Sequence, residues 1–408
     1  MREYNIRDFG AVGDGKTMNT EAIQRAVDVC SENGGGKVVI GSGIYMSGSI
    51  RLRSGVDLHI EQDGTLLGSP DCRDYPEKED LKHVDTKGLP RYRNASLIFA
   101  EECGNVSITG TGKIDANGKS FVVKNEKGKY VRIDAPTPPR VVFFTGCTNI
   151  RVEDVTMVNQ PAGWSYWIHD CDYVAFDKCK VLAELQYPNN DGIHINSSRN
   201  VTVSNCVVAT GDDCIVVRAN NRSLNENKIC EKVTVTNCIL TSYANGIRIG
   251  WRNDGVIQNC VFSNITMTDT NVGIGIVLPK AEYAPVDRGR EPTKIRNLKF
   301  SNIVMDGIYA HPAVIQIDDD AETLCDSVSN ISFDNVYSHG LEFPYIHGRK
   351  ENVVKNISFT NCRFEKVPDE VYPNYELHGY AKGQRTKNAE LIRYAENITF
   401  DNTCFTDT

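Results

Sequence analysis

The chain has 408 residues, a net charge of −8 and 24% charged side chains, with acids and bases interspersed. A general nucleic-acid binder is expected to be basic, so this balance argues against one, and no run approaches the ~20 apolar residues of a membrane span. Length alone allows two or three ordinary domains, but a repeat architecture grows by adding coils to one continuous core.

The N-terminus, Met1-Arg2-Glu3-Tyr4-Asn5, lacks the charged-then-apolar pattern of a secretory signal, which points to the cytoplasm unless a leader has been removed. The glycines of Gly10-Ala11-Val12-Gly13-Asp14-Gly15 fit a tight turn. Their spacing is wrong for GxGxxG, and no Gly-Lys-Ser/Thr follows to make a phosphate loop. Apolar residues at 22, 23, 26, 27 and 30 then predict one helix over about 19–33. Asn19 or Thr20 can cap its start, and Asn33-Gly34-Gly35-Gly36 ends it. A helix there would cover the open end of a solenoid, whose bare strand edges invite aggregation.

Beyond it the chain repeats. Asn149-Ile150-Arg151-Val152, Asp172-Tyr173-Val174-Ala175-Phe176, Asn200-Val201-Thr202-Val203 and Lys232-Val233-Thr234-Val235 are successive instances, continued from Asn264, Asn297, Asn330, Asn356 and Asn397. These segments alternate apolar with polar residues, which is the strand pattern. They recur every ~23–41 residues with only strands inside the period, and that indicates a solenoid. Hairpin turn dipeptides are scarce, so parallel coils are expected. The prediction is an all-β solenoid, one domain over 1–408. Cys147, Cys179, Cys206, Cys238, Cys260 and Cys362 fall at one repeated place and no CxxC occurs, so the thiols read as free and buried within the core rather than as a zinc or redox site. No metal or cofactor is expected.

Longer polar insertions occur at about 70–95, 115–140, 280–293 and 365–388. The second carries Lys119, Lys124, Lys127, Lys129, Arg132 and Arg140 with few acids. It reads as a solvated surface loop or, in a functional role, as a basic rim that attracts an anionic polysaccharide.

Three aspartates carry the chemistry: Asp191 in Asn190-Asp191-Gly192, and the pair in Gly211-Asp212-Asp213-Cys214. Asp191 and Asp213 are 22 residues apart, about one coil. Strands in neighbouring coils lie ~4.8 Å apart, so carboxylates at equivalent rungs could hold a water. Asp212, next along an extended segment, would project to the other side. An inverting glycosidase needs its acid about 6.5–9.5 Å from its base. Asp212 is then the general acid, and Asp191 with Asp213 activates the water. Like charges this close would help keep the acid protonated.

These residues resemble glycoside hydrolase family 28, the polygalacturonases and their relatives. Phe9-Gly10-Ala11-Val12-Gly13-Asp14-Gly15, Gly112-Lys113-Ile114-Asp115, Asn159-Gln160-Pro161 with Trp164, Asn190-Asp191-Gly192-Ile193-His194 and Gly211-Asp212-Asp213-Cys214-Ile215 carry the likeness over nearly the whole chain. The resemblance implies a right-handed parallel β-helix, an oligosaccharide or polysaccharide substrate, and the roles already deduced for the aspartates. It leaves the oligomeric state open.

The departures concern the substrate. Where the family has Gly-His-Gly, this chain reads Tyr243-Ala244-Asn245-Gly246-Ile247-Arg248-Ile249-Gly250, so Asn245 or Ala244 replaces the histidine. Where the family has Arg-Ile-Lys, whose cations bind the galacturonate carboxylate, Gly275 and Val277 stand instead, and the family's tyrosine is not evident around Asp318-Asp319-Asp320. Losing such cations removes charge-assisted bonds. Either other cations (Arg218, Arg248, Arg252 or Lys280) take over, or the subsite accepts a neutral or differently linked sugar, as in rhamnose-containing pectins. Asn190 and His194 are further substrate-binding candidates from the matching motif. In a strand His194 would face away from Asp191. Trp164, Trp167 and Trp251 are expected to pack in the core more than to stack on sugars. A pectate-lyase-like β-eliminase and a non-catalytic glycan-binding β-helix are the competing functions. Long insertions that block one end of the cleft would favour exo-action.

Overall fold

The structure, a computed structural model, describes residues 2–85, 94–133, 138–161, 163–280, 292–372, 385 and 390–408. The insertions predicted at about 280–293 and 365–388 lie in large part outside these residues, whereas that at about 70–95 is described except for residues 86–93. The chain divides into two compact units, one of residues 1–194, 199–211 and 223–225, the other of 195–198, 212–222 and 226–408. Asp191 belongs to the first unit, Asp212 and Asp213 to the second.

In the first unit, short strands stack in parallel, coil on coil. One ladder runs from Glu3–Asn5 through Gly36–Ile40, Val56–Ile60, Gly104–Thr109, Thr148–Glu153 and Asp172–Asp177 to Arg199–Ser204. A further sheet joins Ile50–Arg51, Ser96–Glu101, Arg140–Thr145 and Tyr166–His169, again in parallel. The helix spans Thr20–Glu32 and buries Ala22, Ile23, Ala26, Val27 and Cys30 against Gly36–Ile40, Ile50–Arg51 and Val56–Ile60. Asn19 is its N-cap residue, but its side chain makes no capping bond. It bonds the Val12 backbone instead, accepting from the N–H at 2.7 Å and donating to the carbonyl at 3.1 Å. At the other end Gly34 and Gly35 take φ of 87° and 92°, values that cost glycine little.

The second unit has longer strands. Cys230–Ser242, Val256–Thr270, Thr293–Ile308 and Cys325–Gly340 pair in parallel, and Val354–Thr360 and Ala395–Asp401 continue the ladder. Its other sheet runs Ile215–Arg218, Asn245–Ile249, Val272–Leu278, Ala313–Ile317, Tyr345–His347 and Ile392–Arg393.

The repeated asparagines explain why the sequence coils. Asn259, Asn297, Asn330, Asn356 and Asn397 all have φ between 55° and 57°, the left-handed region that asparagine tolerates better than most residues. Each turns the chain, and the last four each donate to the asparagine one coil below, at 2.9–3.4 Å. The phenylalanines of the same repeat stack inside, Phe262, Phe300, Phe333, Phe359 and Phe400, with centroids 4.6–5.1 Å apart. That spacing is the ~4.8 Å between strands, so one repeated residue fills one repeated place. The cysteines behave alike: all are free, and all but Cys72 and Cys404 are buried. No helix among the described residues is long and apolar enough to cross a membrane.

The 115–140 insertion is not wholly a loop. Val122–Lys124 and Tyr130–Arg132 form an antiparallel hairpin. Arg140, expected on the surface with the other cations, is fully buried, because it opens the strand Arg140–Thr145.

Candidate active site

In the first unit, the segment before Ile193–Asn196 is fixed through its backbone. Asp191 and Gly192 carbonyls accept from Ser165 and Tyr166 N–H at 2.8 and 3.0 Å, and this sets Asp191 on the coil next to Trp164. Asn190 is fully buried. Its side chain donates to the Glu184 carbonyl at 2.8 Å and accepts from Gly211 N–H at 2.8 Å. It therefore shapes the loop on which Asp191 sits.

His194 was expected to face away from Asp191. Instead its Nδ1 lies 3.5 Å from Asp191 Oδ2, both side chains nearly buried. The reason is local: the strand begins only at Ile193, so strand alternation does not reach back to Asp191. His194 lies face to face on Trp164 at 3.7 Å and 21°. Arg140 lies 3.9 Å from the Trp164 ring centroid and 4.0 Å from that of Trp167. Burial pulls its pKa down to about 9, and the negative charge of Asp191 opposes that pull. Arginine therefore stays cationic at neutral pH, and a desolvated cation–aromatic contact is worth about 2 kcal/mol. Trp167 is core, as expected, but Trp164 is only half-buried. Sequence reasoning missed Arg140 as a site residue. The available signal was its place at the head of the apolar run Val141-Val142-Phe143-Phe144.

In the second unit, Asp212 is half-buried. Its Oδ1 accepts from Asp213 N–H at 3.0 Å, and its carbonyl accepts from Ser242 Oγ at 2.6 Å. Asp213 is buried. Its Oδ1 accepts from the Asn245 N–H at 3.1 Å and from Asn245 Nδ2 at 2.6 Å. Burial raises its pKa above the usual carboxylate value, opposed by Arg248, by the Asn245 bonds and by Arg218. Asn245, rather than Ala244, is thus the residue that serves Asp213 where the resemblance places a histidine.

The four candidate cations separate. Arg218 is held by Asp254 through Nε at 2.5 Å and Nη2 at 2.8 Å. Arg252 bonds Glu322 at 2.9 Å and lies 3.8 Å from Asp320. Lys280 is exposed, and its backbone N–H donates to Asp318 at 3.0 Å. Of the four, Arg248 alone is buried with no carboxylate bond among the described residues: Nη2 donates to the Val277 carbonyl at 2.9 Å, and Nε has no hydrogen-bond partner among them. Its guanidinium lies 4.8 Å from the Trp251 ring centroid. Burial lowers its pKa to about 10, opposed chiefly by Asp213.

Gly275 makes this arrangement possible. It pairs directly with Arg248 across the sheet. A Cβ at 275 would run into Asn245 Oδ1 and come 3.7 Å from Arg248 Nη1. The missing side chain one coil on is therefore the space that Asn245 and Arg248 occupy. A cation absent from position 275 is present at 248.

The profile of "Glycosyl hydrolases family 28" matches residues 30–316, well over half of the sequence. The chain belongs to glycosyl hydrolase family 28. Among its curated relatives, a probable polygalacturonase of Vitis vinifera is 31% identical over 53% of this chain and 44% of its own length. An exo-poly-alpha-D-galacturonosidase of Dickeya chrysanthemi is 29% identical over 52% and 41% respectively. The family 28 chain thus spans less than half the length of these two relatives. Its fold is that of a Thermotoga maritima exopolygalacturonase (TM-score 0.71, 23% identity, 90% of this chain and 87% of that one). It is also that of a Yersinia enterocolitica family 28 exopolygalacturonase (TM-score 0.73, 21% identity, 100% and 78%). The architecture is therefore the right-handed parallel β-helix expected from the sequence.

Proposed function

We propose that the protein is an inverting glycoside hydrolase acting on α-linked uronide oligosaccharides, or on the ends of such chains. Asp212 donates the proton to the leaving oxygen. Asp191 and Asp213 deprotonate the attacking water. One observation carries the choice of an acidic sugar: Arg248 lies buried in the space left by Gly275, its charge felt by Asp213, with Nε unpartnered. A buried guanidinium with a spare N–H is costly unless a charged or polar group completes it, and a sugar carboxylate is such a group. A neutral rhamnose could offer that donor only an uncharged oxygen, a weaker partner for a guanidinium than a carboxylate.

The proposal of short or terminal substrates rests on the long insertions, and apolar side chains pack against both sheets. In the first unit Phe99, Phe143 and Trp167 pack under Leu81 and Val84. In the second, Val314 and Tyr345 pack under Leu391.

The test is product analysis on homogalacturonan, rhamnogalacturonan and rhamnosylated oligosaccharides, with Asp212→Asn as control. Single uronate units released with inverted anomeric configuration, seen by proton NMR, are the expected result. Cleavage of none of these α-linked uronides or rhamnosides overturns the reading, and mid-length products from a long polymer overturn the terminal mode.

A further inference from the structure

The hairpin Val122–Lys124/Tyr130–Arg132 has no part in the chemistry above, yet it gathers positive charge on an anionic protein. From residue 119 to 132 it carries Lys119, Lys124, Lys127, Lys129 and Arg132 against the single acid Glu126, while the whole chain has net charge −8. Lys119, Lys124, Lys127 and Lys129 are all exposed.

The hairpin is also built rather than loose. Asn125 Oδ1 accepts from Lys127 N–H and Lys129 N–H, both at 3.0 Å, and Asn125 N–H donates to the Lys129 carbonyl at 2.9 Å. Gly128 closes the turn at φ 73° with open space around it. At its base Val122 and Tyr130 pack on Tyr187, the two tyrosine rings edge to face at 4.9 Å. Arg132 Nη1 donates to Asn189 Oδ1 at 3.3 Å. Asn189 and Tyr187 belong to the loop that ends in Asp191, so the arm is docked on the catalytic loop itself. Lys124 lies 4.8 Å from the Tyr130 ring centroid, which orders a cation next to an aromatic edge. Among the described residues, the hairpin carries the acid Glu126 and the Tyr187 loop the exposed acid Glu184, and the five cations outnumber them.

We infer that this hairpin is a polyanion-binding arm that holds the part of an acidic polysaccharide lying outside the reacting sugars, beside the Asp191 loop. The inference rests on the proposed hydrolysis of uronides and names how a polymer, as distinct from a short oligomer, would be held. Repeating carboxylates along one chain match repeating ammonium groups along one hairpin. Exposed pairs of this kind are individually weak, so the arm acts through their sum and through steering, both of which salt suppresses.

The experiment measures binding of polygalacturonate and of a neutral galactan of similar length by titration calorimetry at low and high salt, in the Asp212→Asn background. The variant replaces Lys124, Lys127 and Lys129 with Gln; Lys299→Gln, on an exposed strand position of the second unit, is the control. The triple variant is expected to bind polygalacturonate roughly tenfold more weakly at low salt, with a flatter salt dependence, while Lys299→Gln changes neither. Unchanged affinity in the triple variant overturns the inference, as does an equal loss of affinity for the neutral galactan. The two readings fail separately. If the wild type binds polygalacturonate through the three lysines but hydrolyses no uronide, the arm stands and the hydrolase reading falls. If it hydrolyses uronides and the triple variant keeps its polymer KM, the arm falls alone.

Discussion

Asp191 and Asp213 both lie buried with an arginine and a tryptophan nearby, but the arginine is held differently in each neighbourhood. Near Asp191, Arg140 is fixed between the rings of Trp164 and Trp167. Near Asp213, Arg248 leans on a backbone carbonyl and one face of Trp251, and an amide, Asn245, holds the carboxylate. The first arrangement is mostly apolar packing around a charge, and its loss should be felt in stability. The second is polar, with a spare donor, and its loss should be felt in chemistry and substrate choice.

The largest effect is expected where that contrast is removed altogether. Asp212→Asn and Asp213→Asn each take away a proposed proton-transfer group, and kcat should fall by about a hundred- to ten-thousandfold with the fold retained in thermal melts. A variant of Asp213 that kept near-normal turnover would show that the polar neighbourhood serves structure alone.

Arg248→Gln comes next. It removes the cation while keeping length and polarity, and kcat/KM on a uronide should fall roughly ten- to a hundredfold, about 1.5–3 kcal/mol. The pH profile gives a sign as well. Burial already raises the pKa of Asp213, and Arg248 holds it down. Without Arg248 it rises further, and a base works only above its pKa, so the acid limb of kcat/KM must move to higher pH. Linkage agrees: a carboxylate whose folded pKa is raised contributes stability present at low pH and lost as pH rises through that pKa. Urea midpoints of the variant should therefore drop more at neutral pH than in acid. An acid limb that stays put would separate Arg248 from Asp213.

Arg140→Met probes the other neighbourhood. It keeps much of the volume between the two indoles but loses both cation–aromatic contacts and the charge facing Asp191. A cost of about 2–4 kcal/mol is expected in urea unfolding. If Arg140→Met melted like the wild type while losing activity as Arg248→Gln does, the two arginines would be equivalent and the contrast would collapse.

How much of this could be read beforehand follows from what repeats. The coils were legible because Asn330, Phe333 and their equivalents recur at a fixed place and stack on themselves. The aspartates stand out in the sequence because their 22-residue spacing is about that of one coil. Arg140 was not, since the lysine-rich insertion before it masked the start of an apolar strand. The approach of His194 to Asp191 was not legible either, since strand alternation does not hold at Asp191, two residues before the strand begins. Gly275 leaves two readings open in the sequence, a lost cation or one supplied by Arg218, Arg248, Arg252 or Lys280. The pairing of Gly275 with Arg248 favours an exchange with Arg248, and pairing between coils of unequal length is not written in the local sequence.

That exchange yields the smallest but most selective test. Gly275→Ala adds one methyl group to a strand whose backbone conformation accepts alanine, so any effect comes from space rather than strain. The new Cβ would clash with Asn245 Oδ1 and reach ordinary contact with Arg248 Nη1. Overpacking of this size costs about 1–3 kcal/mol when neighbours must shift. Asn245 is the neighbour that must move, and it holds Asp213. A fall of roughly tenfold in kcat/KM on uronides is expected, with the acid limb displaced upward as in Arg248→Gln, because a weakened Asn245 bond also lets the pKa of Asp213 rise. Combining Gly275→Ala with Arg248→Gln should cost less than the two effects added, since both act through the same pocket. Full additivity would mean that Gly275 and Arg248 do not share it, and the exchange of positions would then be coincidence.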